Sequence, residues 1–305
     1  MSPKISVIIC TYKRPQLIKR AVQRVLNQTF KDFEIVIIDD SPDDETEKVA
    51  KSFNDQRIKY IKNKIRRGFV ACRNQGVRSA SPSSQYIAFL DDDDEWLPQF
   101  LEKTFKKLEE RKDLAVVTTY AELRTKSGEK LPKIHGKVAE WWRAGIGNAH
   151  VLRKEIFTKE NIWYDEKMRF SEDMDIGFRI LQHHKIESIP EVLYIYYFYP
   201  LVRGETLTTS QSPKTSSEEM AYYYNKHKEA YKKIGRKAFG WFNFFTGLEF
   251  CKAGKIKEGR GYLLNACLSY PHPRYLLYYF LSLVFPSSFG NTRLKVIKQK
   301  VLRGL

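Results

Sequence analysis

Four consecutive aspartates, Asp91–Asp94, and then Glu95 follow the apolar run Tyr86–Leu90. Carboxylates this close repel and raise one another's pKa unless a cation lies among them. Oxygen-only ligation suits a hard divalent ion, Mg²⁺ or Mn²⁺, and Mg²⁺ is commonly held by one or two carboxylates together with substrate phosphates. Asp91 and Asp93, directly behind a buried-strand pattern, are therefore candidate ligands. Asp94 and Glu95 stand just ahead of Trp96-Leu97-Pro98, and they read better as the acidic start of a helix, at the positive end of its dipole. Two more acidic groups stand out. Asp39-Asp40 close the run Glu34–Ile38, and Glu172, Asp173 and Asp175 follow Ser171, a pattern that by itself fits a capped, acidic helix start.

These groups need a scaffold, and the hydrophobic pattern supplies one. Residues 5–10 form a continuous β-branched run, and Arg14–Thr29 then places apolar residues at helical spacing, at Leu17/Ile18, Ala21/Val22 and Val25/Leu26. Strands are expected at Glu34–Ile38, Ile58–Ile61, Tyr86–Leu90 and Leu114–Leu123, with helices over Asp43–Phe53, Phe69–Ala80 and Trp96–Arg111. Such alternation implies an α/β protein with a mostly parallel sheet covered by helices on both faces. Ligands of such sheets bind beyond the carboxyl ends of the strands. Three strand ends here carry polar groups to one edge: Thr11-Tyr12-Lys13-Arg14, Asp39-Asp40-Ser41 and Asp91–Glu95.

The chain has 305 residues and a net charge of +17, with 42% hydrophobic and 14% aromatic residues. Disorder and fibrous folds are excluded by that composition. The charge is uneven: residues 1–200 hold 35 basic and 30 acidic side chains, and residues 201–305 hold 18 and 6. Past residue 210 the sequence turns to Lys-rich, Tyr- and Phe-rich helix without strand signals, and Glu219–Ile234 and Ala238–Leu263 suit a helical hairpin. Cys10, Cys72, Cys251 and Cys267 form no CxxC pair and none stands at zinc spacing from a His. The short apolar run after the N-terminus does not suit a signal peptide. A reducing, cytosolic setting is expected.

The ordered blocks Ser6–Arg14, Gln28-Thr29, Glu34–Ser41, Arg73-Asn74-Gln75-Gly76, Phe89–Asp94 and Glu172–Arg179, the last preceded by Trp163–Glu166, resemble a family 2 glycosyltransferase over about residues 4–200. The resemblance implies the GT-A fold: a catalytic domain over 1–210, with a nucleotide-sugar half (1–115) and an acceptor half (116–210), ahead of a basic helical region (211–305). It also implies roles. Thr11 and Tyr12 would meet the nucleobase, Tyr12 by stacking as aromatics do on bases, with Arg14 beside them. Asp39 and Asp40 would accept hydrogen bonds from base and ribose. Arg73 would sit by the diphosphate, where a guanidinium fork matches phosphate oxygens; its alternative is an ion pair with Asp40. Asp93 and Asp91 would hold Mn²⁺ or Mg²⁺, with Asp91 or Asp92 on the ribose. Asp173, seconded by Glu172, would be the general base that takes the acceptor proton, with inversion at the sugar carbon.

The QxxRW block of processive synthases is absent, so one sugar per event is expected. Cys10 and Cys72 read as packing residues. His183-His184 reads as solvent-exposed, and His150 is the one histidine with a site role in view. Tyr194–Tyr199 reads as buried strand, and Arg203–Ser212 as a candidate mobile loop over the donor phosphates. The 11-residue apolar run Tyr275–Phe285 is short of the ~20 residues that span lipid. With Arg293, Lys295, Lys298, Lys300 and Arg303 after it, it suits a peripheral anchor on an anionic cytoplasmic leaflet; packing on the catalytic domain is the alternative. The expected partners are a nucleotide sugar, UDP-linked on the family's habit, and a glycan or lipid-linked saccharide. Nucleic acid is not expected, although a nucleic-acid-binding protein acting through the basic tail and a nucleotidyltransferase with the same acidic metal site are the competing classes.

Overall fold

Strand β1 (Ile5–Thr11) is buried along its whole length, as a strand covered on both faces must be. It feeds α1 (Pro15–Leu26), which starts on a proline where no N–H is required and buries Ile18, Ala21, Val22 and Val25. The computed structural model describes residues 2–125, 127–135, 149–198 and 213–284. The next elements are β2 (Phe33–Asp39), α2 (Glu45–Ser52), β3 (Ile58–Lys62), α3 (Phe69–Ser79), β4 (Tyr86–Phe89), β5 (Glu95–Trp96) and α4 (Phe100–Glu110). After them come β6 (Leu114–Thr125), β7 (Lys130–His135), β8 (His150–Arg153), α5 (Glu155–Thr158), α6 (Glu172–Leu181) and β9 (Lys185–Phe198).

These strands form one sheet in the order β3-β2-β1-β4-β8-β6-β9-β5, with β7 on β6. Strand β8 is antiparallel to both β4 and β6, so β6 runs with β4, and β9 is parallel to β6. The sheet is thus mostly parallel, with β5, β7 and β8 running against the rest. Strands β1 to β3 build outward in one direction, and β4 returns to the other side of β1. That reversal opens a crevice at the carboxyl ends of β1 and β4. Alternate side chains fill two cores: Val7, Ile9, Ile35 and Ile37 pack with α1 and α4, while Ile8, Val36, Ile38, Ile87 and Phe89 pack with α3 and α6. A Cβ on Gly76 would collide with the Ile8 side chain, so glycine there lets α3 lie close on β1.

Some expectations are corrected. The helix expected from Trp96 starts at Phe100, because Glu95 and Trp96 pair as a short strand with Ile195 and Tyr194 of β9. Trp96 is buried, its ring stacked on Phe100 with centroids 4.4 Å apart. Strand β9 opens at Lys185, well before the expected Tyr194; Tyr194 and Ile195 are buried, but Tyr196 is 44% exposed. Its neighbour on that side, β5, is only two residues long.

The chain divides into two compact units, 1–202 and 203–305. The second contains α7 (Pro213–Ile234), α8 (Arg236–Lys252), α9 (Ile256–Ser269) and α10 (Pro273–Val284). The stretch expected as one helix over Ala238–Leu263 breaks after Lys252, at Gly254, whose φ is +78°. Tyr231 stacks on Phe242 at 4.0 Å, and Phe244, Leu263, Ala266, Tyr275, Tyr278 and Leu281 form the core of α8, α9 and α10. Backbone contact at Gly247 and Gly259 leaves no room for a side chain where α8 crosses α9. Residues Arg203–Ser212, Gly147-Asn148 and the cations from Arg293 to Arg303 lie outside the described residues.

Candidate active site

Register brings the first groups together. Thr11 lies opposite Asp39 across β1 and β2, and the segment after β4 lies beside the end of β1. The Thr11 hydroxyl donates to Asp92 Oδ2 at 2.7 Å. Arg14 Nη1 donates to Asp92 Oδ1 and Asp93 Oδ2, both at 3.0 Å. Between them Lys13 takes a left-handed φ of 55° and donates its N–H to Ser41 Oγ at 2.7 Å, a conformation that a residue with a side chain adopts only where its surroundings impose it. Tyr12 is half-buried, and the Arg66 guanidinium lies 4.1 Å from its ring centroid. Sequence reading passed over Arg66; only this stacking singles it out.

Asp39 and Asp40 are both buried and face different partners. Asp39 accepts from the Ser41 N–H at 2.9 Å and the Tyr60 hydroxyl at 2.7 Å. Asp40 accepts from the backbone N–H groups of Arg67 (2.9 Å) and Gly68 (2.7 Å) and from Asn63 Nδ2 (2.9 Å). Burial pushes the Asp40 pKa up, but those donors outweigh it and hold the carboxyl below its usual value. The charge is thus stable, and it fixes the segment that opens α3.

Arg73, one turn into α3, joins the two halves of the site. Its Nη2 reaches Asp91 Oδ1 at 3.1 Å, and its Nη1 lies 3.9 Å from Glu172 Oε1. The rings of Phe69, Phe89 and Tyr164 surround the guanidinium at 4.2, 5.3 and 5.4 Å. Burial disfavours its charge, but Tyr164, Asp91 and Glu172 more than offset that. The neighbouring Asn74 is a structural clamp: its amide donates to Tyr164 O and Glu166 Oε1 at 3.0 Å and accepts from Tyr164 N at 3.1 Å.

Ligand oxygens of Asp91, Asp93 and Asp94 lie within 4.8 Å of one another. Asp94 spends both its oxygens on β9, accepting from the Tyr194 hydroxyl at 2.6 Å and Tyr197 N at 3.0 Å. Glu95 is tied to Arg24 at 2.7 Å and to the Tyr197 hydroxyl at 2.9 Å. Neither residue starts a helix, which corrects the sequence expectation. Asp92 has its pKa pushed up to about 7, first by burial and then by the charge of Asp93. Burial, and then Asp91, likewise raise Asp93, while burial raises Asp94 well above the usual range. Crowded, desolvated carboxylates with hard oxygen donors are the chemistry that a divalent cation relieves. Asp91 and Asp93 fit one, since Asp94 is already committed to β9.

On the other side, α6 starts with the acidic residues expected of it. Asp175 is fully buried in an ion pair with Arg179, at 2.5 and 2.9 Å. Glu172 is buried as well, and its Oε2 has no hydrogen-bond partner among the described residues. Burial lifts its pKa to about 7 against the pull of Arg73. Asp173 is partly exposed and accepts the Met174 N–H on Oδ1 at 2.7 Å. Burial raises its pKa too. His150, on β8, is wholly buried beside Phe89, with ring centroids 6.2 Å apart, so it presents no surface to a ligand. His184 pairs with Glu160 at 2.6 Å, away from the carboxylates described above.

The family model for glycosyl transferase family 2 matches residues 6–176. The Escherichia coli K12 protein "Putative colanic acid biosynthesis glycosyl transferase WcaA" is 30% identical over 255 residues, which is 77% of this chain and 85% of that one. The Campylobacter jejuni "GalNAc(5)-diNAcBac-PP-undecaprenol beta-1,3-glucosyltransferase" is 39% identical over 111 residues, 35% of each chain. Among solved structures, S. aureus TarS 1-349 in complex with UDP-GlcNAc superposes with a TM-score of 0.64 at 16% identity, over 97% of this chain and 92% of that one. At that identity the likeness is one of fold, a GT-A-like sheet with a helical C-terminal region.

Proposed function

The chain belongs to glycosyl transferase family 2 and is a glycosyltransferase, and on that premise we propose that it moves one sugar from a UDP-sugar to a hydroxyl of a lipid-linked saccharide, inverting the anomeric carbon. The observation that carries this is the bridge through Arg73, whose guanidinium reaches both the Asp91 carboxylate and that of Glu172, the residue next to Asp173. A donor held at the first and an acceptor held at the second would meet over Arg73. The UDP-GlcNAc complex of TarS and the undecaprenol-linked substrate named for the Campylobacter relative support the choice of donor and acceptor class.

In this reading residues 1–115 hold the donor, residues 116–210 hold the acceptor, and the basic helices of 211–305 contact a membrane surface on the cytoplasmic side. Tyr12 stacks on the base once Arg66 yields the ring face. Asp39 and Asp40 shape the nucleoside pocket through Ser41, Tyr60 and the 67–68 backbone. Arg73 faces the diphosphate. Asp91 and Asp93 would hold a Mg²⁺ or Mn²⁺ ion, which supplies positive charge to the diphosphate.

Asp173 then does the proton work. Its Oδ1 is engaged by the Met174 N–H, which orients the carboxylate and leaves Oδ2 for the acceptor hydroxyl. Desolvation makes it a stronger base than a carboxylate in water. The proton passes to Oδ2 as the acceptor oxygen bonds the sugar carbon from the face opposite the departing diphosphate, which keeps the electrons of the broken C–O bond. Glu172, with an unfilled buried oxygen, takes a hydrogen bond from a neighbouring acceptor hydroxyl.

A panel of nucleotide sugars, each with and without Mn²⁺, tests the assignment by slow donor hydrolysis and by transfer to undecaprenol-linked saccharides. Turnover of a UDP-sugar that needs Mn²⁺ and gives a product of inverted configuration is the expected result. Retention of configuration would overturn the single-displacement chemistry. A nucleotidyltransferase would instead release pyrophosphate from a nucleoside triphosphate.

A further inference from the structure

Helix α10 is apolar on nearly every side, with Arg274 and Ser282 its only strongly polar side chains past the first residue. A helix of that composition is normally covered all round. One face is: Tyr275, Tyr278 and Leu281 pack into the core formed with α8 and α9. The other is open. Leu276 is 52% exposed and Phe280 59%, and Leu283 and Val284 continue the same stripe at three-to-four spacing. Arg260 of α9 donates through Nη2 to Ser282 O at 2.6 Å, so the start of α9 lies beside the end of α10. On α9, Leu264 and Leu268 are exposed one turn apart, Leu268 by 69%. Two adjacent helices thus present large apolar side chains to solvent, far more than the scattered single residues of an ordinary surface.

The charge around this face identifies what it meets. From Lys252 to Val284 the described residues carry five Lys and Arg and one acidic residue, Glu258. A second copy of the chain would bring the same excess of positive charge against itself, whereas an anionic lipid surface is complementary to it. Length decides between lying on and spanning. At 12 residues α10 is about 18 Å long against a hydrocarbon thickness of about 30 Å, and no helix among the described residues is long and apolar enough to cross a membrane.

We propose that Leu264, Leu268, Leu276, Phe280, Leu283 and Val284 form the face by which this protein sits on an anionic membrane, with the neighbouring cations at the headgroups. Apolar side chains enter the interface and basic ones face the lipid phosphates, which is how an interfacial helix binds. Such seating rests on the reading of a lipid-linked acceptor, since that substrate is what places the reaction at a membrane.

The test is flotation of the full-length protein with vesicles of phosphatidylcholine alone and of phosphatidylcholine with phosphatidylglycerol, for the wild type, Leu276→Gln/Phe280→Gln and Leu268→Gln. Wild type should float with the anionic vesicles and far less with the neutral ones. The double variant should lose about tenfold or more in partitioning, given the apolar area removed, with an unchanged thermal midpoint and unchanged hydrolysis of the UDP-sugar. Leu268→Gln, a single change on the other helix, should lose less. Equal partitioning of wild type and double variant would overturn the assignment, as would a wild type that ignores both kinds of vesicle. So would a wild-type dimer in sedimentation that the double substitution disperses, because the face would then belong to a second copy. Donor hydrolysis is read separately: its absence in a wild type that floats as expected would indict the donor reading and leave the lipid face standing.

Discussion

Asp173 differs from the carboxylates around it in what its oxygens touch. Asp175 is spent on Arg179 and Asp94 on Tyr194 and Tyr197, whereas Asp173 has one oxygen engaged by its own helix start and is partly exposed. Replacing it with Asn keeps size and the Oδ1 contact but removes the base. Transfer by Asp173→Asn should fall by about 10²–10⁴-fold, the range of general base catalysis, with UDP-sugar affinity within about twofold of wild type by calorimetry. Near-normal transfer would assign the proton elsewhere. The pH dependence follows from the same residue. A base acts only when deprotonated, and burial holds the Asp173 pKa above the usual value while Glu172 stands at about 7. Wild-type kcat/KM for the acceptor should therefore climb with pH through a range above that of a free carboxylate, and fall away as pH drops below it. In Asp173→Asn that rising limb should be missing from the residual rate. A wild-type profile that falls only where a free carboxylate titrates would contradict a desolvated base.

At the scale of elements, the parts legible in sequence were those whose causes are local. Strands β1, β2 and β4 announce themselves because parallel strands buried on both faces must be continuous apolar runs, and the order β3-β2-β1-β4 then puts Thr11, Asp39 and Asp91–Asp93 on one edge. Less legible was anything decided by a partner far along the chain. Asp94 and Glu95 look like helix-start acids until Tyr194 and Tyr197, a hundred residues on, claim them. Strands β5 and β8, two and four residues long, carry too little pattern to be seen, and nothing near Asn74 in the sequence shows that it clamps Tyr164 and Glu166. Asp40 is the clearest case, since its charge anchors the entry to α3 and hence the placing of Arg73. In Asp40→Asn one acceptor oxygen becomes an N–H group facing the N–H groups of Arg67 and Gly68. Stability should drop by about 1–3 kcal/mol, read by urea unfolding, and UDP-sugar affinity should weaken with it. An unchanged unfolding midpoint would mean that this segment holds its place without Asp40.

For the whole molecule, +17 is a sum of two different situations. The first 200 residues are close to balance, and within them the acidic cluster after β4 has its own internal cation: Arg14, at 3.0 Å from both Asp92 and Asp93. That pairing sets how metal and donor should act on stability. A divalent ion at Asp93 must displace or share with Arg14, so Mn²⁺ alone offers the cluster little that it lacks. Once a diphosphate arrives, Arg14 gains an anion to turn to and the metal gains phosphate oxygens as ligands. The UDP–Mn²⁺ complex, bound as one ligand at about a hundred times its Kd, should stabilise the fold by about 2.7 kcal/mol by mass action, visible as a rise in the melting midpoint that EDTA reverses. Mn²⁺ without UDP should move the midpoint far less in the wild type. In Arg14→Gln the order should change, with Mn²⁺ alone now stabilising because Asp92 and Asp93 have lost their resident charge. An equal rise with UDP in the presence of EDTA would exclude Asp91 and Asp93 as metal ligands for the donor, and would leave Arg14 and Arg73 to neutralise the diphosphate unaided.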